Sequence, residues 1–475
     1  MKRLQHFING EFIDSLSVET LDIVNPATEE TVAQSPIATA EEIEAAMSAA
    51  REAFTSWRRT TPSQRQKYLL ELATAMEENA DKLVEAQHRN TGQPREIIRN
   101  EEVLAGADQM RFFAGCARTL EGKAAYEYMA DHTSYVRREP VGVVAQVAPW
   151  NYPLLMAVWK LGPALAAGNT VVLKPSDTTP ESTLVLAQLI QNIFPAGVVN
   201  VLLGDASVGA QMVEHPTPSM VSITGSVRAG QAVAASAAKD LKRAHLELGG
   251  KAPAIVFADA DLPRAARMLT EFGYFNAGQD CTAITRVLIE ESVYEQFRAL
   301  LVQEAEKITT GDADDSKNYY GPLNNVNHFK TVMQKLENLP EHAVVDTGGV
   351  RCTERGYFIA PTVISNVKQQ DPIVQEETFA PVLTVQPFSD EAEALELAND
   401  VSYALASSVW TNNHGVAMRM SRDLDFGAVW INTHVMLTAE MPHGGYKLSG
   451  YGKDLSLYSV EEYTRVKHVM SDMSV

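Results

Sequence analysis

The sequence predicts an α/β fold of two successive strand–helix units with a small β arm, and three observations predict it. From Pro140 onward short apolar runs alternate with helical patterns, which is the signature of a parallel sheet with helices on its faces. The alternation restarts after Lys251 and continues to about residue 440, and 475 residues exceed what one hydrophobic core serves. The tail over 463–470 alternates apolar and polar residues but has no strand near it in sequence.

The chain opens on a strand-rich segment. Residues 7–37 mix short apolar runs with the turn dipeptides Asn9-Gly10 and Asn25-Pro26. A helix follows over 39–57: Thr39 stands three residues before Glu42, the capping-box spacing, and Ile43, Ala46, Met47, Ala50 and Phe54 recur at helical intervals. Helices continue over 62–78 and 81–89. A longer amphipathic helix over 97–118 carries Val103, Leu104, Met110, Phe112 and Phe113, and 126–138 reads as exposed strand.

In the first α/β unit, a strand over 141–148 ends at Pro149-Trp150-Asn151-Tyr152-Pro153 before a helix over 154–167. The next strand, 169–174, closes at Pro175-Ser176-Asp177 before a helix over 180–193, and further strands fall at 199–203, 220–223 and 244–248. Ligands of such a sheet bind at the carboxyl ends of its strands. Those ends here carry Asn151, Lys174, Asp177, Gly225, Ser226 and Glu247. The second unit opens with a strand over 254–257 and a helix start at Asp259-Ala260-Asp261-Leu262, then has a strand at 286–290 and a helix over 293–309. The unpaired tail pairs either with another subunit or with 126–138 of its own chain.

Composition excludes several functions. A net charge of -20 counts against nucleic acid or an anionic membrane as partner. No apolar run reaches membrane-spanning length, and the basic N-terminus lacks the apolar stretch of a secretory signal. Three cysteines, Cys116, Cys281 and Cys352, are too few for a disulfide framework or a metal cluster and fit a reducing cytoplasm. No His-Glu-x-x-His, Cys-x-x-Cys, Gly-x-Gly-x-x-Gly or phosphate-loop motif occurs, so no metal is expected.

The chemistry centres on Asn276-Ala277-Gly278-Gln279-Asp280-Cys281-Thr282. An inert cysteine usually sits among apolar neighbours, whereas small and polar ones suit a loop that a ligand can approach. Glu247-Leu248-Gly249-Gly250-Lys251 sets a carboxylate beside two glycines, and nucleophile and base need meet only in the fold. Attack by a thiolate creates an oxyanion that needs fixed donors. The Asn151 amide and the Cys281 N–H suit that task, although Asn151 equally suits a turn residue bonding its own backbone. Thr224-Gly225-Ser226 runs from strand to helix and offers N–H groups to a pyrophosphate, as many strand-to-helix turns would. Lys174 adds a donor for ribose or phosphate oxygens.

Seven segments together resemble the ordered motifs of the NAD(P)-dependent aldehyde dehydrogenases. They are Pro149-Trp150-Asn151-Tyr152-Pro153, Lys174-Pro175-Ser176, Ile223-Thr224-Gly225-Ser226, Glu247-Leu248-Gly249-Gly250-Lys251, Gly278-Gln279-Asp280-Cys281, Glu377-Thr378-Phe379-Ala380-Pro381 and the stretch from Pro442 to Gly450. The resemblance spans essentially the whole chain. Glu440-Met441-Pro442-His443-Gly444-Gly445 and the stretch from Gly452 to Tyr458 are most similar to the bacterial γ-aminobutyraldehyde dehydrogenases.

The resemblance implies a Rossmann-like NAD-binding domain from 1–120 and 141–250, a catalytic domain at 251–440, and oligomerisation strands at 121–140 and 456–475. It implies Cys281 as nucleophile, Glu247 as base for the deacylating water, and Asn151 as oxyanion donor. Trp150, Lys174, Ser176, Asp177, Gly225, Ser226, Leu248, Glu377 and Phe379 would contact the cofactor. The reaction would take an aldehyde such as 4-aminobutanal to its acid through a thiohemiacetal and a thioester. The setting implied is putrescine degradation by a cytoplasmic homo-oligomer, a tetramer rather than a dimer.

Two positions depart from the family pattern. Asp177 stands where Glu is usual and still disfavours a 2′-phosphate, which favours NAD over NADP; Ala380 replaces a glycine and needs an unstrained φ. An ammonium-bearing substrate wants carboxylates and aromatic faces, for which Asp280, Glu440, Glu102 and Asp108, with Tyr152 and Trp159 as walls, are the candidates. With 60 acidic residues in the chain, a carboxylate near any cleft is also unremarkable. The alternatives are an uncharged aliphatic or aromatic aldehyde, or a CoA-acylating enzyme, which Glu247 argues against. A cysteine hydrolase would leave Gly225, Ser226, Lys174 and Glu377 unexplained. A non-catalytic scaffold would not need Cys281, Glu247 and Asn151 together.

Overall fold

Thr39 starts the first long helix as its spacing predicts. Its hydroxyl accepts from the Glu42 N–H, the Glu42 carboxylate accepts from the Thr39 N–H, and the helix Ala40–Trp57 runs on from there. The computed structural model describes residues 2–311 and 318–474.

The first sheet has eight strands in the order Gly450–Tyr451, Arg243–Glu247, Met220–Thr224, Val143–Val147, Thr170–Lys174, Val199–Val201, His6–Ile8, Glu11–Ile13. The five inner strands are parallel and the edges antiparallel. Successive side chains of a strand face opposite ways. Val144, Val171 and Leu173 therefore pack with Leu72, Phe113 and Leu165 on one face, and Val143, Ala145 and Val172 with Ile43, Met47 and Met212 on the other. The chain steps outward from Val143–Val147 through Thr170–Lys174 to Val199–Val201, then returns to lay Met220–Thr224 on the other side. That reversal opens a crevice at the strands' carboxyl ends.

A second sheet orders Val344–Thr347, Thr362–Ser365, Val382–Phe388, Ile284–Glu290, Ala252–Val256, Ala406–Trp410 and Ala428–Ile431, all parallel except at the Val344–Thr347 edge. The tail strand Thr464–Asp472 pairs antiparallel with His132–Pro140 of its own chain, from Thr464 opposite Pro140 to Asp472 opposite His132. Tyr126–Met129 adds a third strand. The segment 456–475 is strand only in its second half, because Ser456–Glu462 is helical.

Two predicted helices differ in detail. Over 97–118 the backbone forms a short helix Arg95–Ile97, a π-helical turn Ile98–Leu104, and the helix Ala105–Thr119. A π turn adds a residue to the turn, so the face that a 3.6-residue period assigns to each side chain slips by one. Leu104, placed on the apolar face by that period, is exposed. The helix over 293–309 is α-helical only at Tyr294–Ala305, after one 3₁₀ turn. Among the described residues no helix is long and apolar enough to cross a membrane, and no cluster of three or more His, Cys, Asp or Glu could hold a metal.

Candidate active site

Cys281 sits on a backbone that only a tight local network holds. After the helix Leu262–Tyr274, three consecutive residues adopt left-handed conformations: Asn276 (φ 51), Ala277 (φ 58) and Gly278 (φ 66). Such conformations cost energy in residues other than glycine and persist where their surroundings fix them. Here the Gln93 amide donates to Asn276 Oδ1 and the Asn151 carbonyl at 2.8 and 2.9 Å, and Asn276 Nδ2 donates to the same carbonyl at 2.9 Å. Asp280 Oδ1 takes the N–H and hydroxyl of Thr282 at 2.7 and 2.6 Å, and Oδ2 takes the Tyr152 phenol at 2.8 Å. The next residues enter the strand Ile284–Glu290, so the sheet anchors the loop.

The same network aims Asn151. Its amide donates to the Gln279 carbonyl at 3.0 Å, which places it against the cysteine loop; an amide has a second N–H to give. Glu247, buried at the end of Arg243–Glu247, has one oxygen 3.7 Å from His443 Nε2 and the other without any partner in the protein. Burial, then Asp454, raises its carboxyl well above the ordinary range. Burial, then Asp280, Glu247 and Glu377, raises the Cys281 thiol likewise, so the sulfur needs a base before it can attack.

Cys281, Glu247 and Asn151 line one cavity of about 270 Å³ with Trp150, Gly225, Ser226, Leu248, Glu377 and Phe379. Glu377 Oε1 accepts the Gly250 N–H at 2.8 Å, and a side chain at Gly249 would overlap the Glu377 carboxylate. Burial pushes Glu377 up to about 7, opposed by the Gly250 N–H. Trp150 and Phe379 pack edge to face with centroids 5.4 Å apart. The left-handed residue of this turn is Phe379 (φ 56), not Ala380, so the alanine carries no strain.

That cavity shares Pro149, Trp150, Thr224 and Gly225 with a second of about 530 Å³, which lies at the sheet's reversal and includes Lys174, Ser176 and Asp177. The Lys174 ammonium is buried and donates to the Pro175 and Gly204 carbonyls at 3.1 and 2.8 Å. The exposed Asp177 accepts from the Ser176 hydroxyl at 3.1 Å. Ser226 caps the helix Val227–Lys239 by accepting from the Ala229 N–H at 3.3 Å. Thr224 and Ser236 line this crevice, and their buried hydroxyl oxygens find no protein partner. A long crevice with orphaned hydroxyls, a helix N-terminus and a rim carboxylate suits a dinucleotide.

A third cavity, of about 380 Å³, lies on the other side of the cysteine loop. Asp280, Tyr152 and Trp159 line it as expected, and Trp159 Nε1 donates to Gln109 at 2.6 Å. Three expected carboxylates do not. Glu102 is buried behind the wall, accepting from Gln87 and from the Leu154 and Leu155 N–H groups at 3.2 Å, and burial pushes it up to about 8. Asp108 is exposed on the outer side of its helix, and Glu440 is exposed outside the lining. On this helix the residues that line the cavity are Glu101 and Gln109. Those two, with Phe275, Tyr319 and His443, are among the lining residues that the sequence left unsignalled as substrate contacts. Only the Pro-His-Gly-Gly motif signalled His443, and nothing in its spacing tied it to Cys281.

The family model described as "Aldehyde dehydrogenase family" matches residues 12–469. The chain belongs to the aldehyde dehydrogenase family. Two aldehyde dehydrogenases, of Alternaria alternata and Emericella nidulans, are 39% and 40% identical to it over 468 residues, 98% of this chain and 94% of each relative. The NAD+ complex of an aldehyde dehydrogenase from Bacillus cereus matches at a TM-score of 0.97 and 38% identity, covering 99% of this chain and 97% of that one. Betaine aldehyde dehydrogenase from Staphylococcus aureus, in complex with NAD+, matches at 0.96 and 36%, covering 99% and 95%. The mixed α/β architecture with parallel sheets is thus the aldehyde dehydrogenase fold, and the molecule is an aldehyde dehydrogenase enzyme.

Proposed function

We propose that this aldehyde dehydrogenase oxidises an aminoaldehyde, with 4-aminobutanal as the model substrate, to its acid with NAD. The observation that carries the substrate is the third cavity, where Asp280 and Glu101 stand among the aromatic faces of Tyr152, Trp159, Phe275 and Tyr319. Carboxylates and ring faces together recognise an ammonium group. The neighbour that acts on betaine aldehyde takes an aldehyde with a cationic head, which supports the same class.

In this reading Cys281 Sγ adds to the aldehyde carbon, and the Asn151 amide with the Cys281 N–H holds the oxygen as it gains charge. NAD bound in the crevice would supply the hydride acceptor. Trp150, Lys174, Ser176, Asp177, Gly225, Ser226, Leu248, Glu377 and Phe379 would hold it, and the NAD+ complexes of two neighbours support that choice. Glu247 takes a proton from water, and the resulting hydroxide cleaves the thioester. Residues 1–120 and 141–250 are read as the NAD-binding domain and residues 251–440 as the catalytic domain that carries Cys281, with Glu101, Gln109, Tyr152 and Trp159 of the first completing the substrate cavity. The exposed Tyr126, Tyr128, Met129, Val466 and Met470 support the three-stranded arm as the contact of a homo-oligomer, a tetramer in the cytoplasm.

A second reading, an uncharged aldehyde, is favoured by one observation: Asp280 already accepts three hydrogen bonds. A substrate panel decides. With NAD, kcat/KM for 4-aminobutanal should exceed that for butanal by roughly tenfold or more, about 1.4 kcal/mol of recognition. Asp280→Asn should narrow that ratio through KM for the charged substrate; equal values in the wild type would overturn the aminoaldehyde reading.

A further inference from the structure

The turn Pro442-His443-Gly444-Gly445 inserts an imidazole between the two groups that the proposed chemistry needs. His443 Nε2 lies 3.9 Å from Cys281 Sγ and 3.7 Å from Glu247 Oε2. The ring is held in place by its surroundings. His443 and Asp454 exchange backbone hydrogen bonds of 2.9 and 2.8 Å, and the Trp159 ring packs edge-on with centroids 5.2 Å apart. Gly444 (φ 147) follows, where any side chain would overlap the Glu247 carboxylate.

We propose that His443 is a catalytic base for Cys281, taking the thiol proton as sulfur attacks and returning it when the thioester is cleaved. The inference rests on Cys281 being the nucleophile, as read above. The S–H bond breaks, its proton passes to the Nε2 lone pair, and the electron pair stays on sulfur to form the S–C bond while the carbonyl π pair moves to oxygen. NAD, when bound, would supply the hydride acceptor that turns the adduct into a thioester; Glu247 then takes a proton from water, which it later gives to solvent, and hydroxide adds to the thioester carbon. The C–S pair then returns to sulfur, which recovers its proton from Nε2.

Two arguments favour the imidazole over Glu247 for the first proton. If Glu247 took it, Glu247 would be protonated when the deacylating water needs a base. His443 is also available: burial holds it below the ordinary histidine range, so its ring is neutral at pH 7. With the ring proton on Nδ1, which no protein acceptor claims, Nε2 presents its lone pair to the thiol. The charged and titratable groups facing the ring are Cys281 and Asp280 from the cysteine loop, Glu247 from the first sheet, and Lys453 and Asp454 from the turn that pairs with it.

The test reads the thiol itself, without NAD, aldehyde or turnover. Alkylation of Cys281 by iodoacetamide is followed from pH 5 to 11 by mass spectrometry of its peptide, so that Cys116 and Cys352 do not contribute. In the wild type the rate should show a plateau near neutral pH below the main thiol titration. His443→Phe and His443→Gln should both lose the plateau, with a fall of tenfold or more at pH 7, and should rejoin the wild type where the thiol itself ionises. Profiles that coincide across the whole range would overturn the proposal. If His443→Phe loses its cooperative melt, His443→Gln, which keeps a polar side chain without a titrating one, decides by the same two outcomes. A wild type that shows the plateau yet oxidises no aldehyde would refute the functional reading and leave the thiol–imidazole pair standing.

Discussion

Asn151 illustrates how one side chain joins structure to chemistry. It is fixed by a carbonyl shared with Gln93 and Asn276, and its amide already points at the cysteine loop. A donor so placed needs no reorganisation when charge develops, which is where an oxyanion site gets its strength. Asn151→Ala should therefore lower kcat by roughly 10²- to 10³-fold, about 3 kcal/mol, with a smaller change in KM; steady-state kinetics check it, and an unchanged kcat would contradict it. Glu102 behaves oppositely. Burial first, against hydrogen bonds from Leu155, Gln87 and Leu154, raises its folded-state pKa from 4.5 to about 8. The folded state then holds a proton that the unfolded state has released, so its stabilising effect is complete below about pH 4.5 and is lost as pH rises to about 8. Melting temperatures of Glu102→Gln should match the wild type near pH 5 and exceed it near pH 9, and parallel curves would refute the assignment.

At the scale of elements, legibility followed how local the cause was. The Thr39 and Glu42 cap, the inner strands of the first sheet and the strand-end positions of Lys174, Gly225 and Glu247 depend on neighbouring residues, and each was readable. The π turn at Ile98–Leu104 was not, because one added residue leaves composition unchanged, and the cavity is lined by Glu101 and Gln109 where Glu102 and Asp108 were expected. His443 was missed for a different reason: it meets Cys281 only because the segment after the second sheet folds back onto the first, 162 residues away in sequence. Gly249 was quoted for its motif, but its reason is visible only in space, where a side chain would displace the Glu377 carboxylate. Gly249→Ala should weaken NAD binding by at least tenfold in a fluorescence titration while the fold survives. Undiminished affinity would remove Glu377 from the cofactor site.

At the scale of the whole molecule, the two sheets exist to bring three strand ends and one loop together around a sulfur. The crevice at the reversal of the first sheet reaches Cys281 from one side, and the cavity walled by Trp159 and Tyr152 approaches its loop from the other. Glu247 stands at the meeting point with an unpartnered oxygen, free for the water that it is proposed to activate. In the proposed reaction an acyl group is held on Cys281 until Glu247 releases it. Mass spectrometry of intact Glu247→Gln enzyme, quenched within the first turnover with NAD and 4-aminobutanal, tests this directly. One acyl adduct per chain, on the Cys281 peptide and matched by one equivalent of NADH, is the predicted result; full NADH formation with no adduct at Cys281 would contradict it.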